Sequence, residues 1–115
     1  MARIRIKRAY EAPAAGDGVR VLVDRLWPRG VKREAASIDH WLKELAPSAD
    51  LRKWFGHDPE RWAEFQTRYR AELKANPAAV AELRALAKSA KTLTLVFAAK
   101  DEAHNNAVVL RDLLG

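Results

Sequence analysis

Basic and apolar residues alternate at the start of the chain, Arg3, Arg5 and Lys7 against Ile4 and Ile6. A period of two is the mark of a half-buried strand, here with a basic outer face. Pro13, Gly16, Asp17 and Gly18 form a turn-rich break. Residues 19–26 then read as a second strand, with Val21, Leu22 and Val23 apolar on both faces, as a centrally placed strand requires. The short link between the two predicts antiparallel neighbours. After Pro28 and Gly30 the period becomes helical. Ser37 is placed to cap a helix with Ile38, Trp41, Leu42 and Leu45 on one side, ending before Pro47. Leu51, Trp54 and Phe55 make an apolar knot ahead of Gly56. Asp58-Pro59-Glu60 is a helix start, and Trp62, Phe65, Tyr69 and Leu73 follow it at helical spacing. Asn76-Pro77 opens another helix with Val80, Leu83, Leu86 and Ala87 inward. Residues 92–99 read as a third strand, and a final helix over about 103–114 carries Ala107, Leu110 and Leu114 together.

The order is therefore strand, strand, several helices, strand, helix. A long helical crossover between the second and third strands predicts a right-handed parallel pairing. The expected fold is α/β: a small, mostly parallel sheet of three to four strands with helices packed on it, in a single domain over residues 1–115. A chain of 115 residues, 49% of them hydrophobic, is long enough for one packed core without staples. It contains no cysteine, which excludes disulfides and thiolate chemistry and fits a reducing compartment. The first residues lack the apolar core of a signal peptide, and no apolar run is long enough to cross a bilayer. A cytoplasmic protein without membrane contact is the expectation. The formal net charge of +6 favours anionic partners.

Two apolar strand patterns both end in charge. Val21-Leu22-Val23 runs into Asp24, Arg25, Trp27 and Arg29, and the third strand runs into Lys100 and Asp101. In open α/β sheets ligands bind beyond the carboxyl ends of parallel strands. If these strands are parallel, the two clusters meet at one edge, with the start of the last helix beside them. Arg25, Arg29 and Lys100 would hold an anion and Trp27 would lie against a flat or apolar part of it. The competing reading is a structural ion network of Asp24 and Arg25 with Lys100 and Asp101. At least one of Asp24 and Asp101 is expected to be ionised and to orient Arg25 or Lys100 instead of acting as a proton donor. Asn105 and His104 follow at the helix start, and His104 is the candidate general acid or base. The three histidines, His40, His57 and His104, have no metal-ligand spacing. No metal or cofactor is expected: no glycine-rich phosphate loop is present, and the lack of a Gly-x-Ser-x-Gly elbow argues against a serine hydrolase.

The chain resembles the YeaO-like uncharacterised family, domain of unknown function 488. The resemblance rests on Val23-Asp24-Arg25-Leu26-Trp27-Pro28-Arg29-Gly30, on Trp41-Leu42-Lys43 with Ala46-Pro47-Ser48, and on Leu51-Arg52-Lys53-Trp54-Phe55-Gly56-His57-Asp58-Pro59. It continues through Phe65, Arg68-Tyr69 and Glu72-Leu73 to Thr94-Leu95 and Asn105-Asn106-Ala107-Val108-Val109-Leu110. It covers nearly the whole chain. It implies a small α/β domain and no established activity. It also draws attention to Arg52, His57, Arg68 and Tyr69: Tyr69 follows the apolar stripe, so Arg68 is the one placed to reach a pocket or pair with an acid, and Arg52, His57 and Arg68 join the candidate ligand-binding residues.

The expected function is binding of a small anionic or phosphorylated ligand at the carboxyl ends of the strands. Two alternatives stand beside it: a structural or protein-interaction domain without catalysis, and weak nucleic-acid binding through the basic face of Arg3, Arg5 and Lys7. Against the last, acids are interspersed with the bases and no recognition motif is present. The sequence sets no oligomeric state.

Overall fold

The computed structural model describes residues 2–115. Four strands form one sheet: β1 (Arg3–Arg8), β2 (Val19–Leu22), β3 (His40–Trp41) and β4 (Thr92–Phe97). Their order is β1-β4-β2-β3 and every pairing is parallel. The helices are α1 (Arg33–Ala36), α2 (Ala49–Phe55), α3 (Trp62–Lys74), α4 (Pro77–Ser89) and α5 (Asn106–Leu114). The expected α/β class and parallel crossover are both present.

Alternation along the strands divides the sheet into two unlike faces. Leu93, Leu95 and Phe97 of β4, Val21 of β2 and the adjoining Val23 pack against the helices in the main core, with Ile4 and Ile6 of β1 at its border. Phe65, Tyr69 and Leu73 of α3 and Leu83 and Ala87 of α4 enter the same core, one or two turns apart, as their spacing predicts. The opposite face carries a small cluster, Ala9, Leu22 and Val96 under Trp27, Ile38 and Trp41. It also carries a buried ionic centre. Asp17, wholly buried, accepts from Arg20 at 2.7 Å and from Lys7 at 3.2 Å. Burial opposes ionisation of Asp17, but the Ala14 N–H and the Lys7 and Arg20 side chains outweigh it and hold the carboxyl below its usual range.

Three expectations are corrected. First, β1 and β2 are not antiparallel neighbours. β4 lies between them, and residues 9–18 carry the chain from the end of β1 to the start of β2. The link holds a single 3-10 turn, Ala15–Asp17, instead of a crossover α-helix, and that turn contributes Asp17. At its end Gly18 has φ 64°, and a Cβ there would stand 2.2 Å from the Thr92 carbonyl oxygen. Only glycine fits that approach of link to β4.

Second, Ser37 does not begin a helix. It ends α1 in the left-handed region, φ 50°. The chain then pairs with β2: Asp39 N–H donates to Arg20 O at 2.9 Å, and Trp41 stands opposite Leu22. Leu42 and Leu45 still reach the core, through a 3-10 turn over Lys43–Leu45. The apolar spacing was therefore real, but edge pairing with β2 satisfies the backbone that a helix would have satisfied. Third, β2 ends at Leu22 and α5 begins at Asn106, so both elements are shorter than their patterns suggest. The residues released from them build the site.

Candidate functional site

β2 and β4 are adjacent and parallel, so their carboxyl ends open on the same side. A cavity of about 980 Å³ lies there. Three segments surround it: Asp24 to Arg29 after β2, Ala98 to Asp101 after β4, and Ala46, Pro47, Arg52, Phe55 and His57 around α2. Phe65, Asn105 and Asn106 complete the lining.

Asp24 joins the elements that frame this cavity. Its Oδ2 accepts from the Ala98 N–H at 2.9 Å, which stitches the end of β2 to the end of β4. Its Oδ1 accepts from Asn106 Nδ2 at 3.1 Å, and the same amide donates to Val23 O at 3.0 Å, which fixes the start of α5. Its backbone carbonyl accepts from Trp41 Nε1 at 2.8 Å, which brings in β3. Burial pushes the Asp24 carboxyl above its usual range, against the Ala98 and Asn106 hydrogen bonds and the nearby Arg52 and His57 charges.

The second carboxylate is arranged otherwise. Asp101 accepts from the backbone N–H of Ala103 at 2.9 Å and of His104 at 3.0 Å, and its Oδ2 lies 2.9 Å from His104 Nδ1. The His104 side chain and these N–H groups hold its pKa below the usual value. Asp101 closes a turn ahead of α5, whose cap is Asn105. The Asn105 side chain accepts from the Val108 N–H at 3.1 Å and donates to Asp101 O at 2.8 Å.

Neither carboxylate orients Arg25 or Lys100. Asp24 is taken up by Ala98 and Asn106, and Asp101 by His104. The expected ion network of Asp24 and Arg25 with Lys100 and Asp101 does not form. As a consequence, Arg25, Arg29, Arg52 and Lys100 all line the cavity with no ion-pair partner among the described residues. Arg25 is half-buried and the other three are exposed. Four guanidinium or ammonium groups thus face the cavity with two carboxylates, and one of those carboxylates resists ionisation.

The remaining walls are apolar: Leu26, Trp27, Pro28, Ala46, Pro47, Phe55 and Phe65. Leu26 is 70% exposed, an unusual state for a leucine, and stands in this lining. Trp27 is fixed rather than free. Its Nε1 donates to Val31 O at 2.7 Å, it meets Trp41 edge to face at 5.6 Å, and Arg33 lies 4.8 Å over its ring. His57 takes φ 58° beside Gly56 at φ 54°, so two successive left-handed residues end α2 and bring the imidazole to the cavity. Left-handed backbone costs a non-glycine residue roughly 1–2 kcal/mol. His57 therefore holds a strained position at a candidate site.

Two residues singled out from the sequence lie elsewhere. Arg68 pairs with Glu64 one turn earlier on α3 and lies 4.3 Å over the Trp54 ring, away from the cavity lining. His104 packs edge-on against Trp62 at 5.2 Å and faces Asp101, also outside the lining. The main participant passed over was Asn106. The signals for it were its place beside Asn105 and its position in the motif shared with the family.

Comparison with known proteins places the chain among relatives of unassigned role. A family model described as "Inactive DUF488-N3 subclade" matches residues 3–115. The uncharacterized protein Rv3073c of Mycobacterium tuberculosis is 45% identical over 112 residues, which cover 97% of this chain and 93% of the relative. The uncharacterized protein YeaO of Escherichia coli is 42% identical over 111 residues, 96% of each chain. No solved structure matches.

Proposed function

This chain belongs to the inactive DUF488-N3 subclade, a YeaO-like family, and we propose that it binds a small anionic ligand without transforming it. One observation carries the reading. Arg25, Arg29, Arg52 and Lys100 share a cavity and have no internal ion-pair partners. Four cations share the cavity with only two carboxylates, one of which resists ionisation, and a bound carboxylate or phosphate offsets the excess positive charge. Guanidinium groups supply forked donors and Lys100 a point charge. The apolar walls suit a ligand whose charge sits at one end of an uncharged body.

The family's description as inactive supports binding without catalysis. The residues best suited to proton transfer have other duties. His104 is turned to Asp101 and Trp62, and Asp24 accepts two hydrogen bonds that hold the sheet end together. The basic face of β1 is largely occupied too. Lys7 and Arg5 serve Asp17 and Gly16, while Arg8 donates to Ala99 O and Ala98 O. Arg3 is the one cation of that face exposed without a side-chain partner among the described residues, and a single free cation gives nucleic-acid phosphates little to hold. No helix among the described residues is long and apolar enough to cross a membrane. The cysteine-free chain is compatible with a reducing compartment, and a cytoplasmic location is part of this proposal.

The test is a thermal-shift panel of inorganic phosphate, sugar phosphates, nucleotides and dicarboxylates. A ligand that binds only the folded state raises its stability by RT ln(1 + [L]/Kd), about 2.7 kcal/mol at a hundredfold excess over Kd. The reading requires a shift with at least one anion that disappears in Arg25→Ala and Lys100→Ala. No shift with any anion, or equal shifts in the variants, refutes it.

A further inference from the structure

We propose that a second groove, between α3, α4 and the end of α5, docks an acidic segment of a partner protein that carries aliphatic side chains. The groove encloses about 490 Å³ and shares no residue with the anion cavity. Its apolar lining is aliphatic: Leu73, Val80 and Leu113, with the exposed Pro77 and Ala81 beside them. Its rim is Arg70 and Lys74 of α3 and Arg84 of α4, all exposed, with no acid in the lining. None of the three makes an ion pair among the described residues. Other cations of the same region do: Arg68 pairs with Glu64 and Arg61 with Asp58. Arg70 and Lys74 also stand four residues apart on one helix, a like-charge spacing that disfavours the helix unless something neutralises it.

Charge complementarity fixes the sign of the occupant. The apolar lining fixes its class, because apolar residues there call for aliphatic anchors. No aromatic ring lines the groove, so it offers nothing for the base stacking on which single-stranded nucleic acid relies. A peptide with acids on one side and aliphatic residues on the other meets both demands, as in helix-in-groove recognition.

The experiment is selection of a random peptide library on the intact protein, followed by fluorescence anisotropy of the enriched peptides. Enrichment of acidic peptides with aliphatic residues three or four apart is expected. Their affinity should fall as salt rises. It should weaken by roughly tenfold or more in the Arg70→Glu/Arg84→Glu variant, where like charges face each other. Those side chains are exposed and unpaired, so the variant should melt with the parent. Ala81→Trp separates shape from charge: it obstructs the groove and leaves the charge of the rim unchanged. Weaker binding in that variant is expected, and unchanged binding would mean that the groove plays no part. No enrichment, enrichment of basic or uncharged peptides, binding that survives the double reversal, or tighter binding of a labelled oligo-dT than of any peptide would each overturn the proposal.

Discussion

Asp24→Asn tests how the cavity is held. The carboxylate uses both oxygens, Oδ2 for the Ala98 N–H at 2.9 Å and Oδ1 for Asn106 Nδ2 at 3.1 Å. An amide of the same shape has one acceptor and one donor. Whichever way it turns, one of these N–H groups meets another N–H. A polar group left without its partner in a part-buried site costs about 1–3 kcal/mol. One effect opposes this. Burial raises the Asp24 pKa, so its ionised form is disfavoured in the folded protein, and asparagine removes that charge. The expected net loss at neutral pH is about 1 kcal/mol, or roughly 3–6 °C in Tm for a chain of this length.

The sign of the pH dependence follows from linkage. A carboxyl with a raised folded pKa holds its proton to higher pH in the folded state than in the unfolded state. Its contribution to stability therefore falls as pH rises from about the ordinary value of 3.8 through the folded pKa. Asparagine lacks that fall, so the deficit of the variant should be larger near the acid end of this window than at neutral pH. Urea unfolding at several pH values, extrapolated linearly, measures it. Asn106→Ala should be less than additive with Asp24→Asn, since both act on one hydrogen bond. A variant that melts within a degree of the parent at every pH, or a deficit that grows with pH, would refute the role given to Asp24.

Asp17→Asn should cost about 3–5 kcal/mol, because it strands the buried Arg20 guanidinium, whose Nη2 already lacks a partner. Asp17 has a lowered folded pKa, so its stabilisation is complete above 3.8 and lost as pH falls through the folded value; the variant should show a shallower acid limb in pH-dependent urea unfolding. Gly18→Ala should lose more than about 2 kcal/mol in the same assay, since a Cβ would meet the Thr92 carbonyl at 2.2 Å and the backbone is left-handed. His57→Gly should melt at or slightly above the parent, because it relieves the φ of 58°, yet bind anions more weakly by calorimetry. A drop of many degrees would mean that the imidazole serves packing against Phe55 rather than the cavity.

Much of this arrangement could be read from local patterns. The apolar runs at Val21–Val23 and Leu93–Phe97 marked two strands, and the charges that end them marked the edge where Arg25, Arg29 and Lys100 meet. The helical spacing of Phe65, Tyr69 and Leu73 placed them in the core. What escaped was decided by partners distant in sequence. The β1–β2 relation depends on β4, which arrives some 70 residues later and occupies the place between them. Trp41 pairs with Leu22 at a sheet edge, and no local period distinguishes that from one turn of helix. The roles of Asp24 and Asp101 were misjudged for a related reason. Neighbouring cations in sequence suggested ion pairs, but backbone N–H groups and Asn106 were nearer in space. Arg68 meets one of the two expectations for it, since it pairs with an acid on its own helix rather than reaching the cavity.

The most direct test of the anion cavity is a backbone amide NMR titration with inorganic phosphate. The account predicts saturable shifts confined to residues 24–29, 52–57 and 98–106, absent when Arg25 and Lys100 are both replaced by alanine. Shifts spread over the basic surface without saturation, or gathered at Arg70, Lys74 and Arg84 instead, would contradict it.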